Sequence, residues 1–243
     1  MNDASSLHLL SELPPIRRSR GGYLYTQNGE RLLDLWLNNA TILQGHQPAG
    51  LLTVAKNALA QTFIHPYPSH WHQRAIQAIQ ITFDAHAVHI APHRALCMHE
   101  PWHHHPKGYY LLRAGIPLPK DCTIAQLALP LSGYACYLLI DKNAKNELPT
   151  AEILPAYLAR TLLRMLTHLL NFTPEITPIT STNFSQHHAY FTYNQTSIDS
   201  HQALFRLALK EKILLPPSPQ ATGLWLPHLF SAGQNQTIKA ILS

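Results

Sequence analysis

Charge is the scarcest property of this chain. Asp, Glu, Lys and Arg make up 13% of its 243 residues, well under the usual share for a soluble domain. Solubility therefore rests on His, Asn, Gln, Ser and Thr. The apolar share of 46% excludes a disordered tail. Long hydrophobic runs are also missing: the most apolar helical stretch, Ile153 to Leu170, is interrupted by Arg160, Arg164 and His168. That excludes a membrane span. The N-terminus has no basic region followed by an apolar core, so no secretory leader is expected. Cysteine is sparse. Cys97, Cys122 and Cys136 form neither a disulfide framework nor a CxxC knuckle, and they fit a reducing, cytoplasmic setting. The net charge of +5 is modest, and only Arg17, Arg18 and Arg20 cluster. No nucleic-acid groove is implied, and the triplet reads as a solvated or carboxylate-paired entry segment.

Periodicity divides the chain into three parts, 14–83, 84–145 and 146–243. In the first, Tyr23-Leu24-Tyr25 and Arg31 to Trp36 read as strands joined at Asn28-Gly29, whose residues tolerate the positive φ of a tight hairpin. Apolar spacing predicts helices from Ala49 to Gln61 and from an N-cap at Ser69 to Phe83. The middle part is rich in His and Pro, with strand-like pieces at Tyr109 to Leu112 and Ala135 to Ile140. In the last part, Thr150 is the expected cap of a helix over Ala151 to Leu170. His188 to Tyr193 alternates like a strand, Asp199 opens a helix through Lys212, Leu224 to Leu226 forms a short strand, and Gln234 to Leu242 closes the chain as a helix.

The two outer parts carry a specific pattern. Arg20-Gly21-Gly22-Tyr23-Leu24-Tyr25, Asn28-Gly29-Glu30-Arg31, Leu33-Asp34 and Leu43-Gln44-Gly45-His46 resemble the N-terminal segment of class III aminotransferases, glutamate-1-semialdehyde aminomutases above all. Phe205, Leu209 and Ile213-Leu214-Leu215-Pro216-Pro217-Ser218 resemble that family's C-terminal segment. The resemblance implies an α/β (α+β) fold: the small domain of a fold-type I aminotransferase, with a remodelled short central segment. It also implies a homodimer.

The family's chemistry uses pyridoxal phosphate, bound as an imine on a lysine so that the cofactor acts as an electron sink. It also needs an acid against the pyridine nitrogen and a Gly/Ser/Thr turn at a helix N-terminus for the phosphate. The interval between the matching ends is too short for the usual cofactor domain. No Gly-Thr or Gly-Ser turn precedes a helix in the middle part, and no lysine occurs from Asn146 to Leu209. Asp141 follows an apolar strand as the family's acid does, but Lys142 comes directly after it. Lys142 and Lys145 lie too near the strand end to reach back, and Lys210 and Lys212 read as solvated or dipole-paired helix-end charges. The expectation is a truncated, non-catalytic protein with a binding or structural role for an unnamed small molecule, and no pyridoxal phosphate. A rebuilt site with a working lysine is the alternative within the family.

Histidine is abundant instead: seventeen, with ten between His65 and His105. His86, His89 and His93 sit at helical spacing. His86, His89, Cys97, His99, His103 and His105 are the candidate ligands for zinc or another transition metal, with Glu100 as a base beside them. The competing reading is that His replaces Lys and Arg as a polar surface residue. Cys97 near His99 is a paper candidate for nucleophile and base, against a buried thiol as the plainer alternative.

Overall fold

The computed structural model describes residues 4–61, 66–92, 96–131, 133–194 and 198–243. The described chain forms two compact units, Met1–Pro48 with Thr173–Ser243, and Ala49–Phe172. The sequence boundaries expected near 84 and 145 both fall inside the second unit.

The first unit opens with helix α1 (Ala4–Ser11) and strands β1 (Ile16–Arg20), β2 (Tyr23–Thr26) and β3 (Arg31–Asp34). The β2–β3 hairpin turns at Asn28-Gly29, with Gly29 at φ +83°. The arginine triplet lies on β1. All three side chains are exposed, as expected of a solvated segment. Arg18 finds an aromatic partner, its guanidinium 4.4 Å from the Tyr25 ring centroid. A single turn, α2 (Leu37–Ala40), follows.

After residue 172 the chain adds β8 (Phe184–His187), β9 (Tyr190–Tyr193), α6 (Ile198–Lys210), β10 (Ile213–Leu214), β11 (Gly223–Leu224) and α7 (Ala232–Leu242). β10 joins the first sheet parallel to β3, giving the order β1-β2-β3-β10, and β11-β9-β8 form a second sheet. One core joins both sheets to the helices: Leu33, Leu35, Phe191, Phe205, Leu214 and Ile238 are members. Ser231 and Gln234 close α7 with a reciprocal capping box.

The second unit contains α3 (Leu51–Gln61), α4 (His70–Phe83), β4 (Ala87–Pro92), β5 (Tyr109–Leu112), β6 (Ile124–Leu127), β7 (Tyr134–Leu139) and α5 (Ala156–Leu170). Its sheet runs β4-β7-β6-β5, with β5 and β6 parallel and the other pairs antiparallel. Every residue of β6 is buried, as in a strand covered on both faces. Ser69 caps α4 as predicted, its Oγ accepting the His72 N–H at 3.2 Å. Among the described residues no helix is long and apolar enough to cross a membrane.

Two expected elements differ. Residues 151–155 are not helical, and α5 starts at Ala156 behind Pro155 instead of behind Thr150. Proline drives the residue before it out of the helical region, which outweighs the apolar periodicity. Instead, the Glu152 N–H donates to the Ile90 carbonyl at 2.7 Å. The segment holding His89 is strand β4, not helix. Val88 and Ile90 are buried on it, so His86 and His89 do not share a helical face, and the expectation for His93 lies outside the described residues.

Several histidines are packed rather than solvated. Burial lowers the pKa of His72, His168 and His201 from the ordinary 6.5. His72 Nδ1 accepts the Leu154 N–H at 3.1 Å, a bond that protonation would abolish. In the unfolded chain these rings protonate near 6.5 while the folded protein resists, so the unfolded state binds more protons and stability falls as pH drops through that value. The melting temperature is expected to be flat above about pH 7 and to decline from there to about pH 5. Differential scanning fluorimetry across that range checks this, and an unchanged midpoint would contradict it.

Candidate functional site

The motif residues of the first unit converge on a strained turn. Asp34 ends β3 with its carboxylate 3% exposed. Its Oδ1 accepts the N–H groups of Trp36 and Leu37, both at 2.9 Å. Its Oδ2 meets His46 Nε2 at 2.8 Å. The four residues of α2 all have left-handed backbone, with φ of 45°, 54°, 58° and 56° for Leu37, Asn38, Asn39 and Ala40. Left-handed helix costs an L-residue roughly 1–2 kcal/mol per position. Asn tolerates it best, and two of the four are Asn.

Surrounding contacts hold the turn. Leu37 is fully buried, Thr41 Oγ1 donates to the Asn38 carbonyl at 2.8 Å, and Asn39 Oδ1 accepts the Thr222 N–H at 2.7 Å. His46 bridges Gly21 through two backbone hydrogen bonds. Gly45, at φ +70°, allows that approach, because a Cβ there would stand 2.6 Å from the Gly21 carbonyl. Strain of this kind clusters at functional sites. Trp36 Nε1 beside the turn is buried with no partner among the described residues. With Nε2 taken by Asp34, His46 has only Nδ1 left to act. The pair is chemically an orienter and an imidazole, without a hydroxyl or thiol hydrogen-bonded to it among the described residues.

The histidine-rich segment lies in the second unit. His86 is exposed just before β4, and His89 on β4 has Nδ1 2.9 Å from the Pro149 carbonyl. His93 falls outside the described residues. Cys97 is on the surface rather than buried, because it lies in an irregular stretch outside the sheet. His99 pairs through its backbone with Tyr109 and Leu111, and its ring stacks on His105 at 3.8 Å and 19°. Burial first, then the neighbouring His105 and His103, lower the His99 pKa. His103 and His104 are exposed, with His104 Nδ1 3.6 Å from Asp121.

The structure thus groups His99, His103 and His105 and leaves His86, His89 and Cys97 on other parts of the chain. Stacked rings present their lone pairs side by side, not toward one point. Among the described residues, no three His, Cys, Asp or Glu side chains converge to hold a metal ion. Glu100 is no free base: it is buried in a bidentate pair with Arg113, Nε to Oε2 at 2.9 Å and Nη2 to Oε1 at 2.5 Å.

The lysines and the acid complete the inventory. All eight lysines lie in described residues, and all eight are exposed. Lys212 pairs with Glu30 at 3.0 Å. Lys107 edges an open cleft of the second unit lined by Leu96, Pro106, Tyr109, Thr123 and Glu147. Asp141 caps the 3-10 turn Lys142–Glu147, its Oδ1 accepting the Asn143 N–H at 2.9 Å. Sequence reading missed the Asp34–His46 and Glu100–Arg113 pairs. In each, the partners lie a dozen or so residues apart, too far for a local spacing rule to link them.

No family model matches the sequence. An uncharacterized protein of Borreliella burgdorferi is 36% identical over 85 residues, 35% of this chain and 32% of that protein. An uncharacterized protein of Treponema pallidum is 29% identical over 91 residues, 37% of this chain and 30% of that protein. The chain matches about a third of the length of these relatives. Solved structures match over nearly all of it. N-acetylornithine aminotransferase from Stenotrophomonas maltophilia has a TM-score of 0.64 at 10% identity, over 97% of this chain and 96% of that chain. Ornithine delta-aminotransferase of Plasmodium falciparum has a TM-score of 0.61 at 10% identity, over 98% and 97% respectively. At such identity the likeness speaks for architecture and not for chemistry: the chain has an aminotransferase-like fold.

Proposed function

We propose that this protein is a non-catalytic derivative of the aminotransferase fold, truncated around the cofactor region, with a binding or structural role. One observation carries the reading: every lysine side chain is exposed. A lysine that captures an aldehyde must present a neutral amine, which enzymes obtain by burying it or placing it beside another cation. A solvated ammonium is protonated at neutral pH and is a poor nucleophile. The acid position is occupied as well, since Asp141 is committed to capping a turn. The four-stranded sheet of the second unit supports truncation, being a small platform for a cofactor domain. The residues present do not fit pyridoxal phosphate held as an imine.

Borohydride trapping tests this. After incubation with equimolar pyridoxal phosphate and reduction, peptide mass spectrometry is expected to find only scattered, substoichiometric adducts, suppressed by excess free amine. One lysine modified to near one equivalent, with an imine absorbance band, would overturn the proposal and establish a rebuilt active site.

A further inference from the structure

One face of the sheet β1-β2-β3-β10 collects arginine and tyrosine. The register sets Arg18 opposite Tyr25 and Tyr25 opposite Arg31, with Arg20 opposite Tyr23 in the next row. Residues directly opposite each other, and residues two apart along a strand, share a sheet face. Arg18, Arg20, Tyr23, Tyr25 and Arg31 therefore lie on one side. Arg17 occupies the irregularity between Ile16 and Arg18. The Arg18 guanidinium carbon lies over the Tyr25 ring at 4.4 Å, and that of Arg31 over the Tyr23 ring at 4.6 Å. The two rings are 6.5 Å apart. Tyr23 is fixed at its far end, where the hydroxyl donates to Gln234 Oε1 at 2.8 Å.

The charge of this face is unanswered. Arg17, Arg18, Arg20 and Arg31 are all exposed. Among the described residues, none of the four has a carboxylate within 4.0 Å. The acids on either side in sequence are already committed, Glu12 to Arg206 and Glu30 to Lys212. Charge on an edge strand ordinarily blocks pairing with another chain, and that accounts for β1 alone. It does not account for Arg31, which belongs to the interior strand β3, nor for guanidiniums laid over rings. In sequence the triplet stands by itself. The sheet adds a fourth arginine and two aromatic rings to it. Among the described residues of this sheet, Ile16 is the one exposed large apolar side chain, at 39%. A lipid surface, which needs apolar residues to insert, is a poor counterpart for such a face.

We propose that this sheet face binds single-stranded nucleic acid, its phosphates held by Arg17, Arg18 and Arg20 and its bases stacked on the arginine–tyrosine pairs. A guanidinium fork engages two phosphate oxygens. Bases stack on aromatic rings and on guanidinium planes alike, and do so with little regard to sequence. A duplex keeps its bases stacked on one another and would leave the platform unused. An acidic peptide would answer the charge but offers no planar group to the pairs. The site is independent of the lost imine chemistry. Trapping a lysine would leave it standing, and its failure would leave the lysine argument untouched.

The test is fluorescence anisotropy of the full chain with labelled oligothymidine and oligouridine of about twelve nucleotides. An oligothymidine–oligoadenosine duplex and polyglutamate serve as competitors. Saturable binding of both single strands is expected, weakening with salt along a log–log slope of about −0.7 for each phosphate contacted. The triple variant Arg17→Gln, Arg18→Gln, Arg20→Gln should weaken binding at least tenfold and flatten that slope by about 2. Tyr25→Leu should weaken it at least threefold and leave the slope unchanged, since stacking releases no counterion. If Tyr25→Leu fails to fold, Arg31→Gln decides, with a loss of at least threefold expected. Lys56→Gln with Arg74→Gln, which removes two exposed cations from the other unit, should change affinity less than twofold. No saturable binding, wild-type affinity in the triple variant, or an equal loss in Lys56→Gln with Arg74→Gln would each overturn the site. So would displacement by the duplex or by polyglutamate as effective as that by unlabelled single strand. Tighter binding of oligouridine points to RNA as the ligand, and equal affinity to single strands of either sugar.

Discussion

Glu100→Ala is expected to destabilise the protein by about 3–5 kcal/mol, the cost of breaking a buried ion pair from one side. Arg113 has no exposed side-chain surface, and Glu100 faces it with 10% exposure. The two bonds run in parallel from Nε and Nη2 to the two carboxylate oxygens, the fork geometry that makes Arg–carboxylate pairs strong. Deleting the carboxylate leaves a guanidinium charge in a medium that cannot solvate it. Replacing both residues removes that difficulty, so the double variant Glu100→Leu with Arg113→Met should recover most of the loss. Urea denaturation followed by circular dichroism measures all three. A Glu100→Ala loss below about 1 kcal/mol, the range of exposed pairs, would mean that the pair is solvated.

Asp34→Ala is expected to cost about 2–5 kcal/mol, because it strands several groups at once. The Trp36 and Leu37 N–H groups lose their acceptor, at roughly 1–3 kcal/mol for each buried group left unpaired. His46 loses the carboxylate that positions it. The left-handed run over α2 loses the contacts that offset its strain. Asp34→Asn retains one oxygen and should lose distinctly less. Hydrogen exchange gives the local signature: in Asp34→Ala the amides of residues 36 to 41 should exchange faster, while those of β6 in the other unit keep their protection. Uniform acceleration through both units would show that Asp34 acts on global stability and not on the turn.

Local chemistry made much of the fold readable. Asn28-Gly29 announced a hairpin because both residues accept positive φ, and Ser69 announced a helix because its hydroxyl replaces a missing carbonyl. The segments at 51–61 and 70–83 showed the spacing of amphipathic helices. Reading failed where two local signals competed. Apolar periodicity through 151–155 suggested helix, and Pro155 overruled it. Histidine spacing at 86–93 suggested helix, while the buried alternation of Val88 and Ile90 belonged to a strand. The β8–β9 hairpin turns at His188 with φ +62°, a conformation that few residues other than Gly advertise in advance.

The site was legible only as a set of letters. Asp34, Gly45 and His46 stood in a recognisable pattern, yet nothing in that pattern showed the carboxylate bonded to the imidazole. Histidine density suggested metal ligation, yet whether rings stack or converge depends on backbone directions set by the sheet. The sequence alone determined the hairpin, most helices, the scarcity of charge and the lack of a lysine between 146 and 209, since each follows from neighbouring residues or from composition. Only the tertiary structure decided that all eight lysines face solvent, that Glu100 is committed to Arg113, and that Arg31 shares a sheet face with Arg18 and Arg20. Burial and pairing depend on which distant segments meet, and a charge acquires its energy from the partner and the dielectric it finds there.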